Sequence, residues 1–578
     1  MKVVQGIVAS SGISHGKAVV YVPPDLNFTP RSITHVEEEK RRLFNAVKKS
    51  IAELGDLKEK VLTNMGKEFA HIFRSQQTVL EDDTIINEII EKITLDKWCA
   101  ETAVKEVFTA YFTMFEELDD GDYNKARMAD LQDVYKRLLR NLLGKEDVNL
   151  SDLAEHAIIV AEELFPSDTA MMDLEQICGM ITERGGITSH VAILAKNLGI
   201  PAAVAVECAT ERIITDDEIY LDATDPEEAH VYINPDGTIR QKFEELRAQY
   251  EKRQTLLAQE CHLEPITLDG RKITVSVNIG SVEEIKNAIR LGGKSVGLFR
   301  SEFLFMKKKN LPDEKTQFQA YKTVAEAFRD GFVILRTLDI GGDKPVASIS
   351  IPRETNPFLG YRAIRISLDQ PHLFRQQLRA ALRASAFGSL KMMFPMISGP
   401  NEVKQILRII EEIKGELDGE RVDYDKKMEL GIMVEIPSAI FMIDALLKHI
   451  DFISIGTNDL TQYLLAADRM NEHIRDYYQP YHPAVFRAIA RIVDAAHARN
   501  KWVGVCGELG GMPLAVPALI GLGVDELSMS AQTVPEIVHV IRHTSYQSAR
   551  RLADRILAMD EESDIKTLLQ RTQNDTKE

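Results

Sequence analysis

The period of hydrophobic and polar positions changes several times along this chain, and the changes divide it. Residues 1 to about 22, MKVVQGIVASSGISHGKAVVYV, read as strand, glycine turn and second strand. From about 34 to 145 the period is helical and glycine is scarce, as in HVEEEKRRLFNAVKKSIAELGDLKEKVL and DLQDVYKRLLRNLLG. Strand-like runs return at HAIIVAEEL, ICGMITE, PAAVAV and EIYLDA. The simplest arrangement is a helical unit inserted into an α/β unit whose first strands come from the N-terminus. In TIRQKFEELRAQYEKRQTLLAQE, Phe243, Leu246 and Tyr250 fall at helical spacing among charged residues, which predicts a connecting helix.

From about 262 onward, apolar strand-like runs alternate with amphipathic helices. The runs are ITVSVNI, SVGLF, FVILRT, LKMMFPMI, LGIMVEI, DFISIG, WVGVCG and ELSMS. Eight such repeats are the pattern of a TIM (β/α)8 barrel, although an open doubly wound sheet would show the same alternation. The expected division is therefore 1–22 with 146–232 as an α/β domain, 23–145 as a helical insert, 233–261 as a connecting helix, and 262–578 as the barrel.

Composition narrows the class. The 578 residues are 44% hydrophobic and carry a formal charge of −18, which disfavours a general nucleic-acid binder. LEDD at 80–83 and FEELDDGD at 115–122 make the insert acidic in patches that could steer a basic partner. The five cysteines form no CxxC pair and suit a reducing cytoplasm. The N-terminus does not read as a signal peptide, and no run of about 18 apolar residues predicts a membrane span.

In a barrel, chemistry gathers at the C-terminal ends of the strands. Here SVGLFR ends in Arg300, FVILR in Arg336, GIMVE in Glu435, DFISIGTND in Asn458 and Asp459, and WVGVC in Cys506, with Arg469 following in TQYLLAADR. Glu435 and Asp459 offer hard oxygen ligands for Mg²⁺. The guanidinium forks match phosphate and carboxylate. A thiol among cations can act as an acid toward a carbanion. Singly, each has an ordinary reading as ion-pair partner, helix cap or buried thiol; together they are chemically compatible.

A second feature is GGITSHVAILAKNLGIPAAV, residues 185–204. Ser189 or Thr188 can cap a helix opening at His190. The positive helix end disfavours imidazolium, so a ring nitrogen stays a neutral nucleophile, and the free N–H groups favour an attached phosphoryl group. Gly185 and Gly186 allow a tight turn. Thr169, in FPSDTA, is a candidate to orient the ring. A histidine that merely decorates a helix start would leave the same pattern.

These stretches, with GLFRSEFLFM, RTLDIGGDKP, NPFLGYRAIR, SIGTNDLTQY and GVCGELGG, closely resemble the Enzyme I family of the bacterial phosphotransferase system, from about residue 3 to 572. The resemblance implies a phosphohistidine α/β domain with an inserted helical subdomain, then a phosphoenolpyruvate-binding barrel that dimerises. It implies that His190 is phosphorylated on Nε2 by phosphoenolpyruvate and passes the group to a histidine of the phosphocarrier HPr, docked on the insert. Arg300, Arg336, Arg362, Asn458 and Arg469 match substrate-binding positions, and Glu435 and Asp459 match Mg²⁺ ligands. Cys506 matches the proton donor that yields pyruvate. The connecting helix becomes a plausible swivel. Pyruvate phosphate dikinase and phosphoenolpyruvate synthase share these motifs but need an ATP-binding domain, for which the roughly 150 preceding residues hold no glycine-rich nucleotide loop. The nitrogen-related paralogue adds an N-terminal sensory domain. A non-catalytic regulator would be expected to have lost some of these positions.

Overall fold

The computed structural model describes residues 2–575 apart from 65–66, 118–121, 147–149, 151–152, 154, 188, 226–227, 307–310, 343–348, 350 and 353. The chain forms two compact units, Met1–Lys252 and Arg253–Glu578.

In the first unit, β1 (Lys2–Ser10) and β2 (Gly12–Tyr21) are followed by five helices: α1 (Val36–Asn64), α2 (Lys67–Leu80), α3 (Asp83–Leu95), α4 (Ala100–Glu117) and α5 (Asp122–Leu143). There follow β3 (Ala157–Ala161), α6 (Pro166–Met171), β4 (Ile177–Thr182), α7 (His190–Leu198), β5 (Ala202–Val204), α8 (Ala209–Arg212), β6 (Glu218–Ala223) and β7 (Glu228–Ile233). The strands close in the order β1-β5-β4-β3-β2-β6-β7, so the N-terminal pair does join the later strands. Strand β3, AIIVA, is buried at every position and pairs in parallel with β2 and β4, as a strand covered on both faces should. The helices bury their own core, including Leu43, Leu54, Ile89, Val104 and Leu138. The acidic stretch 80–83 serves a local purpose, since Asp82 caps α3, its carboxylate accepting from Thr84 N at 2.8 Å. The acidic stretch 115–122 lies largely outside the described residues.

Helix α9 (Gly237–Glu260) crosses from one unit into the next. Phe243 meets Tyr220 edge-on in the first unit, whereas Arg253 pairs with Glu536 and Glu260 with His539 in the second.

The second unit contains β8 (Thr274–Ile279), β9 (Val296–Arg300), β10 (Val333–Arg336), β11 (Leu390–Phe394), β12 (Leu430–Val434), β13 (Phe452–Ile455), β14 (Trp502–Val505) and β15 (Glu526–Met529). All neighbouring pairs are parallel, and β15 closes onto β8. Closure excludes the open doubly wound sheet. Alternation along β13 and β14 sends Ile453, Ile455, Val503 and Val505 to the helix-facing core, while Phe452 and Cys506 join Leu298, Ile334, Met393 and Met433 in a separate interior cluster. Among the described residues no helix is long and apolar enough to cross a membrane.

Candidate active site

In the first unit, His190 opens α7. Ser189 is the cap, its Oγ accepting from Ala192 N at 3.4 Å, and Gly199 ends the helix in the left-handed conformation. Thr188 lies outside the described residues. Gly185 takes φ +102°, which favours glycine, whereas Gly186 has no positive φ. Thr169, on α6, places Oγ1 3.0 Å from His190 Nε2 and 3.0 Å from the Pro166 carbonyl. The hydroxyl has one proton. If it donates to the ring, Nε2 keeps its lone pair; if it donates to Pro166, Nε2 carries the proton.

Burial pushes the His190 pKa down to about 4, against a smaller opposing pull from Asp133. The ring is thus neutral at pH 7, and the largest cause is burial rather than the helix end invoked from sequence. Asp133 lies on α5 and accepts from Gln76 Nε2 at 2.9 Å, from Ser167 N at 3.1 Å and from Ser167 Oγ at 2.8 Å. Beside it, burial and Asp133 push the Asp168 carboxyl up to about 6, although it accepts from Tyr21 Oη and Phe165 N. Sequence reasoning passed over Asp133, Asp168 and Tyr21. The signal was an acid on an otherwise core-facing stripe of α5.

In the second unit, Arg300, Arg336, Glu435 and Cys506 all stand at the C-terminal ends of β9, β10, β12 and β14. Arg336 is buried and pairs with Glu302 and, at 2.9 Å, with Asp339. Burial alone would lower its pKa, but Glu302, Asp339 and Glu435 outweigh it and hold the guanidinium charged. Arg362 is 1% exposed and reaches Asp339 at 3.2 Å, Asp459 at 3.5 Å and the Tyr463 hydroxyl at 3.1 Å. Its backbone passes close to Gly341, where φ is +95° and a Cβ would lie 2.7 Å from both Tyr361 O and Arg362 Cβ. Arg469 comes within 3.8 Å of Asp459. Asn458 is held through Glu508, donating to its carboxylate at 2.9 Å and accepting from its backbone N–H at 2.8 Å. Arg300 lies over the Phe303 ring at 5.2 Å.

Glu435 Oε1 accepts from Met396 N at 2.6 Å. Among the described residues, Glu435 Oε2 is buried without a hydrogen-bond partner, and the buried Asp459 Oδ1 meets only the guanidiniums of Arg362 and Arg469, at 3.5 and 3.8 Å. Burial, then repulsion by Asp459 and Asp339, raises the Glu435 pKa. Two such buried oxygens, on acids that repel each other, fit a divalent cation between them.

Cys506 is 4% exposed, with Sγ 3.7 Å from Ile455 O. Arg336 does lower the thiol pKa, but burial dominates and pushes it up to about 12. The group is therefore a protonated acid and not a thiolate nucleophile. Sequence reasoning also missed Glu302, Asp339, Tyr463 and Glu508. They stand in the quoted motifs or beside them, but read singly they look like loop polar residues.

Three family models cover most of the chain: a PEP-utilising enzyme N-terminal model over residues 5–127, the mobile domain over 153–225, and the PEP-binding domain over 254–546. A phosphoenolpyruvate-protein phosphotransferase of Geobacillus stearothermophilus is 42% identical over 571 residues, 99% of this chain and 98% of that one. The protein of the same name from Bacillus subtilis strain 168 is 42% identical over 574 residues, 99% of this chain and all of that one. An NMR solution structure titled as Enzyme I is 35% identical, covering 43% of this chain and 99% of that chain, with a TM-score of 0.39. PEP-utilising enzymes use a divalent metal. With full-length relatives of this kind, the chain belongs to the phosphoenolpyruvate-protein phosphotransferase (Enzyme I) family and is an enzyme of phosphoenolpyruvate-dependent phosphoryl transfer.

Proposed function

We propose that phosphoenolpyruvate binds at the barrel mouth, that its phosphoryl group passes to Nε2 of His190, and that a histidine of HPr then receives it. The observation carrying this reading is the charge balance of the mouth. Arg336, Arg362 and Arg469 are each paired with carboxylates among Glu302, Asp339 and Asp459, and Arg300 and Glu435 stand at the ends of strands β9 and β12. A cation, Mg²⁺ in this reading, held by Glu435 and Asp459 would supply the positive excess that attracts a phosphate-bearing anion and offsets charge on its oxygens.

The residues then have distinct roles. Arg300 and Arg336 face the transferring phosphoryl group, where positioning and charge neutralisation are most of the catalysis. Arg362, Arg469 and Asn458 fix the rest of the substrate. Thr169 orients the ring through its 3.0 Å contact with Nε2 until the ring turns to attack. Gly185, Gly186 and Ser189 shape the turn that presents the ring, and free N–H groups at the start of α7 stabilise the phosphorylated state. Cys506 gives its proton to the enolate carbon, and pyruvate leaves.

The domain roles follow: 1–22 with 146–232 as phosphohistidine domain, 23–145 as HPr-docking insert, 233–261 as swivel, and 262–578 as substrate-binding and dimerising barrel. The setting is the cytoplasm. ATP plays no part in this reading.

The test is incubation of the full chain with phosphoenolpyruvate and Mg²⁺ without ATP. One acid-labile phosphoryl group and stoichiometric pyruvate are expected, both lost in His190→Ala and on chelation. A requirement for ATP would overturn the reading.

A further inference from the structure

The barrel interior is two-sided. Leu298, Ile334, Met393, Met433 and Phe452 form an apolar cluster that includes Cys506. On the β13, β14, β15 and β8 side, beyond the stacked Phe452 and Trp502, the positions in phase with Cys506 are small or polar: Ser454, Gly504, Glu526, Ser528, Ser276 and Asn278. Bulky branched residues ordinarily fill this space.

The register sets Ser454, Gly504 and Glu526 abreast on three adjacent strands. Gly504 has no side chain, and Glu526 Oε2 occupies the room where a Cβ would stand. Cys506 is two residues further along the same strand, about 7 Å away on the same face. Glu526 is 1% exposed. Both its carboxyl oxygens, Ser276 Oγ and Ser454 Oγ are buried without a hydrogen-bond partner of ordinary geometry among the described residues. Asn278 ties the column to the thiol's strand end, donating to Cys506 O at 3.1 Å and accepting from Ser528 Oγ at 2.5 Å. A carboxyl so poorly compensated is costly to bury and calls for a use.

We propose that Glu526 is the proton reservoir that restores the Cys506 thiol after each turnover. The proposal rests on the reading of Cys506 as proton donor. When the thiol gives its proton to the enolate carbon, a buried thiolate remains. The Glu526 O–H bond breaks and an S–H bond forms, and the Glu526 carboxylate later regains a proton from solvent. Energetics point the same way. Burial pushes Glu526 up to about 8, against smaller pulls from Ser276 and Lys391, so it holds its proton at pH 7. Burial pushes the thiol up to about 12, so a thiolate takes that proton downhill. Glu526 acts through Cys506 and does not touch substrate.

The test compares the first turnover with later ones in the full chain, with phosphoenolpyruvate, Mg²⁺ and excess HPr, and traps thiolate with iodoacetamide located by peptide mass. Glu526→Gln should release its first pyruvate at the wild-type rate and then slow about 10²-fold. Cys506 should become alkylated after the first turnover in that variant, and Glu526→Asp should recover part of the rate. Glu526→Asp, whose shorter side chain should still leave the later step slower than wild type, carries the test if Glu526→Gln does not fold. A folded Glu526→Gln with wild-type later turnovers, or one that has lost the first turnover, overturns the reservoir. If Cys506→Ala releases pyruvate at the wild-type rate, the proton-donor reading itself fails; if it stops pyruvate while Glu526→Gln cycles normally, only the reservoir falls.

Discussion

His190 should stay uncharged well below the pH at which a free imidazole takes up a proton. Burial sets its pKa at about 4 in the folded chain, against about 6.5 for the free side chain. The difference, about 2.5 units, corresponds to about 3 kcal/mol against the protonated ring. Because the folded value lies below the unfolded one, the native state binds fewer protons between these limits. The stability is therefore whole above about pH 6.5 and is lost as pH falls toward about 4. At about pH 6 a free imidazole is roughly three-quarters protonated, whereas His190 would be protonated in about one molecule in a hundred. The nucleophile should thus survive mild acid, and single-turnover labelling should lose nothing to His190 protonation between about pH 7.5 and 6. The direct assay is an imidazole nitrogen NMR titration, with His190 assigned through His190→Asn. Urea unfolding provides the second measurement: on going from about pH 7.5 to 5, the wild type should lose about 2 kcal/mol more than His190→Asn. A titration midpoint at or above about 6.5 would refute the argument that burial governs this ring.

Asp339 compensates two buried guanidiniums at 2.9 and 3.2 Å; Asp339→Asn should cost about 3 kcal/mol in urea unfolding and raise KM for phosphoenolpyruvate. Thr169→Val removes the 3.0 Å contact to Nε2 and should slow phosphoryl acceptance about tenfold, with Thr169→Ser close to wild type; equal rates for all three would discount the contact. Gly341→Ala forces a Cβ against Tyr361 O and Arg362 Cβ, so kcat/KM for phosphoenolpyruvate should fall while the His190 imidazole titration of the first unit is unchanged. A variant with unaltered kcat/KM would show that the Arg362 loop adjusts freely.

The barrel was legible because each strand is a short apolar run between turn residues, and because parallel strands covered on both faces read as continuous hydrophobic stretches. The strand ends were legible for a related reason: a charged residue closing such a run, as in SVGLFR or GIMVE, breaks the pattern at one place. The partners of those charges break no pattern. Glu302 and Asp339 sit in FRSEF and RTLDIGG, where a carboxylate looks like any loop residue. Asp339 pairs locally with Arg336, three residues away, but only the return of the β10–β11 connection brings Arg362 to its other side. The same limit explains why the sequence points to the helix end as the cause of a neutral His190 and to cations around Cys506. A helix start and a nearby arginine are local and visible in sequence. Desolvation is a property of the whole packed surround, and it is the larger cause at both groups. Glu526 shows the limit most plainly. In ELSMS it reads as an ordinary polar residue opening a strand, yet strand register and a missing side chain at Gly504 carry its carboxyl into the barrel. Sequence pattern thus reveals where chemistry gathers, while the protonation states that chemistry depends on are set by contacts that exist only after folding.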